Sequence, residues 1–350
     1  MSWWSDADDA DEDDDDFDES SIRVRPNPKG NRPRTKTRPE HKDALAGRIM
    51  TVDRGRFSVL VYQDTPEERQ ITASRARELG RTPIVTGDWV DLVGDTSGDP
   101  GTLARVVRVH ERSTLLRRSA DDSDAVERVI VANAEQMLIV VAAANPEPRA
   151  RLIDRYLVAA FDAGIEPILC ITKTDLADPS PLLAEFDCLD LRIITLSRDD
   201  VPLEELTEIL VGRTTVTVGH SGVGKSTLVN ALVPGADRAI GVVNTVTGRG
   251  RHTSSSTICL RLHASDGRTG WIIDTPGVRS FGLGHVDSAN ILRSFAATAR
   301  VPEGEPPGGI PLTEAHDWEI IDRVEAGELG ESGKARIESL RKLLDASLGT

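Results

Sequence analysis

The sequence predicts a multidomain chain: an N-terminal β-barrel of the OB type, a central α/β domain built on a phosphate loop, and a small α-helical C-terminal domain. Three observations predict it. Five short alternating runs between residues 46 and 110 are punctuated by glycines, as in small barrels. From about residue 125 apolar runs alternate with helical patterns, which implies a mostly parallel sheet with right-handed crossovers. After Phe281 the pattern is helical. These breaks give a tail at 1–43, a barrel at 44–118, an α/β domain at 119–284 and helices at 285–350.

The tail cannot bury a core. Residues 1–20 hold eleven acidic and no basic side chains, and residues 21–42 hold eight basic and one acidic. Such a tail is expected to be disordered. Its basic half is either an arm that grips RNA phosphates, releasing counterions, or a solvated tail whose two halves attract. The formal net charge of −15 over 350 residues argues against nonspecific nucleic-acid binding by the chain as a whole. No apolar run approaches the length of a membrane span, and the acidic N-terminus lacks an export signal. Cys170, Cys188 and Cys259 are scattered and odd in number, which fits a reducing cytoplasm rather than a disulfide framework.

The barrel strands are expected at Ala46–Val52, Phe57–Tyr62, Arg69–Ser74, Ile84–Val93 and Thr102–His110. Phe57, Tyr62 and Trp89 read as core residues rather than as a platform for stacked bases. Arg54, Arg56, Arg75 and Arg77 are either backbone contacts to a nucleic acid or plain solvated charges.

Met137–Ala144 is a continuous apolar run, as in a strand covered on both faces. A helix is expected between Pro148 and Gly164, with Ile153, Leu157 and Ala160 or Phe161 as its buried stripe. Strands are expected at Pro167–Thr172, Leu191–Leu196, Thr214–Val218 and Trp271–Ile273, and helices at Val201–Leu210 and Leu228–Leu232.

Four motifs carry chemistry. Gly219-His220-Ser221-Gly222-Val223-Gly224-Lys225-Ser226-Thr227 fits the phosphate-cradle pattern between a strand and a helix. Its glycines let backbone N–H groups wrap a phosphate, Lys225 reaches the outer phosphates and Ser226 ligates Mg²⁺. Asp274-Thr275-Pro276-Gly277 ends a strand; Asp274 can hold Mg²⁺ through water, and the Gly277 amide can sense a γ-phosphate. Thr172-Lys173-Thr174-Asp175 also ends a strand. A carboxylate at Asp175 accepts a bidentate pair from guanine N1–H and N2–H₂, which adenine lacks, while Lys173 packs along the base. Ser197, past the next strand, can support the guanine O6 side.

These are GTPase motifs in an unusual order, with base reading ahead of the phosphate loop. A parallel sheet tolerates this as long as the strand ends converge on one face. The domain therefore reads as circularly permuted. Its Asp274–Gly277 segment leads straight into the C-terminal region, so a γ-phosphate-dependent movement there is expected to pull on that region.

The chain resembles the circularly permuted GTPases of small (30S) ribosomal subunit biogenesis (RsgA/YjeQ type). The resemblance covers residues 44–285. It rests on Gly87-Asp88-Trp89-Val90, Leu115-Leu116-Arg117-Arg118, Ala132-Asn133-Ala134-Glu135-Gln136 and Ile153-Asp154-Arg155-Tyr156-Leu157, together with the phosphate loop and Gly277–Gly282. It implies a cytoplasmic, ribosome-stimulated GTP hydrolase that needs Mg²⁺, contacts rRNA and acts late in maturation. A monomer is expected. The run Gly248–Ser256 resembles the family's switch, which makes Thr253 the second Mg²⁺-side hydroxyl. Val278 stands where other GTPases place a water-orienting Gln. His252 is then the candidate catalytic group alongside Lys225; a solvent-exposed loop histidine is the other reading.

Two departures stand out. Thr172 occupies a position where Asn is the commoner choice. The family's C-terminal domain usually holds zinc through three cysteines and a histidine, yet no cysteine follows Cys259. His285 and His316 alone cannot close a structural site, so zinc is expected to be absent. Two other readings are a P-loop ATPase or kinase, opposed by Asp175, and a non-catalytic RNA-binding module that holds GTP structurally. Lys225, Ser226 and Asp274 oppose the last reading, and Val278 keeps it open.

Overall fold

Alternating side chains sort themselves onto opposite faces of one long sheet. The computed structural model describes residues 41–119, 127–236, 257–275 and 323–348. His252, Thr253, Gly277, Val278, His285, His316 and residues 1–40 lie outside the described residues.

The barrel is built from β1 (Leu45–Asp53), β2 (Arg56–Val61), β3 (Arg69–Arg75), β4 (Trp89–Gly94) and β5 (Ala104–Val109). They run in the order β1-β2-β3-β5-β4, and pairing between β1 and β4 closes the ring. Ile49, Phe57, Val59, Val90, Leu92 and Val106 fill it. Each such side chain taken out of water stabilises the fold by about 1.5–3 kcal/mol. Phe57 is core as expected. Tyr62 is not: it is 39% exposed, at a positive φ of 54°, with the Arg69 guanidinium 4.8 Å from its ring. The β2–β3 turn needs that backbone conformation, which lifts the ring off the barrel. Ile84 and Val85 are buried but precede β4 rather than form part of it.

A hairpin of β6 (Leu115–Ser119) and β7 (Glu127–Ala132) follows. The sequence reading did not anticipate it.

The α/β domain contains β8 (Gln136–Ala142), α1 (Ala150–Asp162), β9 (Glu166–Thr172), α2 (Ser180–Glu185), β10 (Arg192–Thr195) and α3 (Leu203–Leu210). It continues with β11 (Thr214–Gly219), α4 (Lys225–Leu232), β12 (Ile258–His263) and β13 (Thr269–Asp274). The strand order is β10-β9-β8-β11-β13-β12, parallel except for β12. Met137 and Ile139 pack with α1 on one face, and Leu138 and Val140 pack with α3 and α4 on the other. Ile153, Leu157 and Ala160 form the buried stripe of α1, and Phe161 is only half-buried.

Barrel and α/β sheet are continuous through one registered pair, Thr51 with Ile258. Polar contacts reinforce this narrow joint. The Thr86 hydroxyl donates to the Thr257 carbonyl at 3.3 Å, and the Asn133 amide donates to the Gly87 carbonyl at 3.0 Å. Gly87 has φ 92°, and a Cβ there would lie 2.2 Å from the Ala132 carbonyl oxygen, so no other residue fits. Arg48 donates to Thr214 Oγ1 at 2.8 Å, and Arg261 pairs with Glu68 at 2.6 Å. Both guanidiniums lie over Trp271, at 4.8 and 4.7 Å from its centroid, a favourable cation–π geometry.

At the C-terminal end, α5 (Gly330–Leu348) packs on α1 and α2. Arg336 pairs there with the buried Asp154 and lies 4.5 Å from the Phe186 ring centroid.

Candidate nucleotide-binding site

The parallel strands deliver four motifs to one edge of the sheet. Gly219–Thr227 begins on the last residue of β11, Thr172–Asp175 on the last residue of β9, and Asp274 ends β13. Ser197 lies two residues beyond β10. That edge is where open parallel sheets bind ligands.

Close backbone approach shapes the phosphate loop. A Cβ on Gly219 would meet the Val140 carbonyl oxygen at 2.5 Å, so glycine lets β11 turn against β8. Gly224 caps α4 with φ 94°, in the left-handed region that side chains disfavour. Val223 is buried among Leu228, Val229 and Val140 and anchors the loop. Ser221 and Gly222 are exposed at its crest, and His220 Nδ1 lies 3.0 Å from the Ser221 carbonyl oxygen. Ser226 and Thr227 are exposed on the first turn of α4. Unsatisfied N–H groups and the helix dipole favour an anion there.

The base side is braced against this loop. The buried Thr172 hydroxyl lies 2.5 Å from the Val223 carbonyl oxygen and 3.2 Å from that of Val141. Its single proton goes to the nearer acceptor, so Thr172 ties base motif to phosphate loop. Lys173, at φ 58°, donates from Nζ to the Asn145 carbonyl and to the Gly222 carbonyl at 2.8 Å. Asp175 is exposed, and one carboxylate oxygen accepts the Arg198 N–H at 3.1 Å. Ser197 stabilises the adjoining turn: its hydroxyl accepts the Asp200 N–H at 3.0 Å and its own N–H donates to the Asp200 carbonyl at 2.9 Å. The Ser197 hydroxyl proton remains free to donate.

The phosphate side is held by charge. Lys225 is 8% exposed, and its ammonium donates to Asp274 Oδ1 and to the Thr275 carbonyl. Asp274 Oδ1 also accepts from the Thr217 hydroxyl at 3.0 Å, and the Thr275 hydroxyl donates to the Thr217 carbonyl at 2.7 Å. No motif pointed to Thr217. The available signal was a polar residue inside a strand covered on both faces, where a buried hydroxyl must find a partner.

Among the described residues no cluster of three or more His, Cys, Asp or Glu could hold a metal ion. Mg²⁺ accompanying a nucleotide does not need one, since one or two protein oxygens suffice beside phosphates and waters. The Ser226 hydroxyl and the Asp274 carboxylate are hard oxygen donors of that type, so the residues present fit this ion.

A family model described as RsgA GTPase matches residues 109–284, about half of the chain, and every nucleotide motif falls inside it. The chain belongs to the RsgA GTPase family. Among curated relatives, "Small ribosomal subunit biogenesis GTPase RsgA" of Pseudomonas aeruginosa (strain UCBPP-PA14) is 41% identical over 219 residues, 61% of each chain. Its counterpart in Pseudomonas fluorescens (strain SBW25) is 40% identical over the same length. The chain thus spans about three fifths of the length of these relatives. Two solved structures share the fold. YjeQ from Thermotoga maritima has a TM-score of 0.60 at 23% identity, covering 88% of this chain and 99% of that one. YloQ, described as a circularly permuted GTPase, has a TM-score of 0.57 at 21% identity, covering 87% and 96%.

Within this RsgA-type chain, several resemblance-bearing residues are structural joints. Asp88 is fully buried and accepts a bidentate pair from Arg112 at 2.6 and 2.8 Å. Asn133 bridges Gly87 and Ser113. Glu135 accepts the Thr214 N–H at 2.9 Å, and Gln136 accepts from the Thr215 hydroxyl at 3.0 Å.

Proposed function

We propose that this chain is a GTP hydrolase acting in late maturation of the small ribosomal subunit, stimulated by that subunit and bound to its rRNA. The observation that carries the reading is the convergence of the Asp175 motif and the Lys225 loop on one sheet edge, braced together by Thr172 and Lys173. Asp175 selects guanine. Backbone N–H groups of Gly219–Thr227 and the Lys225 ammonium take the phosphates, and the Ser197 hydroxyl serves the O6 side. Names of the curated relatives support the ribosomal setting.

Ser226 and Thr253 would hold Mg²⁺ directly and Asp274 through water. When bound, the ion neutralises charge on the outer phosphates. The Gly277 amide senses the γ-phosphate, and His252 takes the role of orienting the attacking water, since Val278 cannot. Domain limits follow the sequence breaks at 44, 119 and 285, and γ-phosphate sensing at Asp274–Gly277 couples to the helices beyond. We also propose a cytoplasmic monomer. No helix among the described residues is long and apolar enough to cross a membrane.

The C-terminal helices are proposed to hold no zinc. The three cysteines all belong to the α/β domain, and burial pushes the Cys170 and Cys259 thiols up to about 12 and 11.

Phosphate release from GTP, measured with and without small subunits, tests the reading. We expect release that rises severalfold with subunits, and His252→Ala to lose the rise while keeping GTP affinity. Absence of release under both conditions supports the non-catalytic binding reading instead.

A further inference from the structure

We propose that Thr217 is a positioning residue for the Asp274 carboxylate and thereby sets the Mg²⁺ requirement of nucleotide binding. The proposal rests on the GTP-hydrolase reading.

The strand β11 is buried along its whole length. A hydroxyl on it therefore needs an internal acceptor. Thr215 finds one in Gln136. Thr217 is fully buried and sits in register with Asp274 on the neighbouring strand β13. Its hydroxyl has two acceptors within reach: the Ile273 carbonyl at 3.4 Å and Asp274 Oδ1 at 3.0 Å. The nearer one is also charged, which makes the bond the stronger of the two.

Lys225 shares the same oxygen. Phosphate groups entering the loop compete with Asp274 for the Lys225 ammonium. Once the ammonium turns to phosphate, Asp274 is a buried carboxylate whose fixed donor on this side is Thr217. That bond keeps Oδ1 in place and leaves Oδ2 as the oxygen offered to a metal's water shell. Without the hydroxyl, the carboxylate loses a donor in a buried site, where such losses are costly. It is then free to rotate, and its hold on the metal's water weakens.

The test compares full-length wild type, Thr217→Val and Thr217→Ser. Valine matches threonine in shape but has no hydroxyl, and serine restores the hydroxyl. Fluorescent GDP binding is titrated against Mg²⁺ and repeated in excess EDTA, with thermal unfolding as a check on folding. We expect Thr217→Val to raise the Mg²⁺ concentration for half-maximal tightening roughly tenfold, as for loss of a hydrogen bond to a charged group. Affinity in EDTA should stay within about twofold, and serine should restore the wild-type Mg²⁺ curve. An unchanged Mg²⁺ curve in Thr217→Val overturns the proposal, and so does an equal loss with and without Mg²⁺, which marks a purely structural role. Failure of the wild type to bind guanine nucleotide overturns the underlying reading and this proposal together.

Discussion

The Thr172–Asp175 half of the candidate site is tied together by hydrogen bonds to backbone carbonyls, whereas the Gly219–Thr227 half is tied by a buried ion pair. Thr172 and Lys173 donate to Val223, Asn145 and Gly222, and none of these bonds uses the exposed Asp175 carboxylate. That half is thus organised in advance, which would reduce the ordering cost of binding a base. On the other half Lys225 is engaged with Asp274 and Thr275. On the proposed function, phosphates would bind there by exchanging partners, and affinity would depend on how well each partner is re-satisfied. Substitutions should therefore act differently in the two halves.

The largest effect is expected at Lys225. Lys225→Ala removes the ammonium proposed to take the phosphates and takes its partner from the buried Asp274; breaking a buried pair costs about 3–5 kcal/mol. GDP affinity should fall by roughly 100-fold or more, together with a lower unfolding midpoint. Loss of affinity at unchanged stability would show that the buried pair does not support the fold. Next is Asp175→Asn, where charge-assisted bonds of about 1.5–3 kcal/mol are lost. GDP should weaken by roughly 10- to 100-fold and xanthosine diphosphate should strengthen, since the amide can donate to the xanthine C2 carbonyl. Failure to gain xanthosine binding would argue that Asp175 is not the base reader.

Thr172→Val should weaken GDP by roughly three- to tenfold, the worth of one neutral hydrogen bond. Thr172→Asn should stay near wild type, because either side chain can donate to Val223. Equal losses in both would mean that threonine's shape, and not its proton, is needed.

A separate effect, on stability and not on nucleotide affinity, is expected at high pH. Burial raises Tyr156 and Cys170 to about 12 and Cys259 to about 11. Folded protein therefore keeps protons that the unfolded chain has released. The contribution is fully present below the ordinary values of 9.0 for the thiols and 10.0 for the phenol. It is lost as pH rises through 11 to 12. The denaturant midpoint should be flat from pH 7 to 8.5 and fall between pH 9 and 11; a flat profile to pH 11 contradicts the burial of these groups.

Much of this architecture was legible because local signals agreed. The runs that became β8 and β9 are apolar on both faces, and glycines mark the loop that turns against Val140. Boundaries moved where backbone geometry overrode pattern: Ile84 and Val85 are apolar but precede β4, and Tyr62 was lifted off the barrel by its turn. In the hairpin of β6 and β7, Arg117 and Arg118 interrupt the alternation that would mark a strand in the sequence. The antiparallel β12 forms a local hairpin with β13, but its pairing with β1 joins Thr51 to Ile258, a long-range contact for which a single sequence has no local signal. Partners of buried polar groups were hidden for the same reason: Arg48 with Thr214, Arg336 with Asp154, and Thr217 with Asp274.

The central claim is that one edge of this sheet reads guanine through Asp175 while the Lys225 loop holds the phosphates. Competition against fluorescent GDP by unlabelled GTP, ATP and xanthosine triphosphate in Mg²⁺ tests it most directly. Displacement by GTP at least roughly 100-fold better than by ATP is the expected result, in line with about two lost charge-assisted hydrogen bonds. Equal displacement by ATP would contradict it.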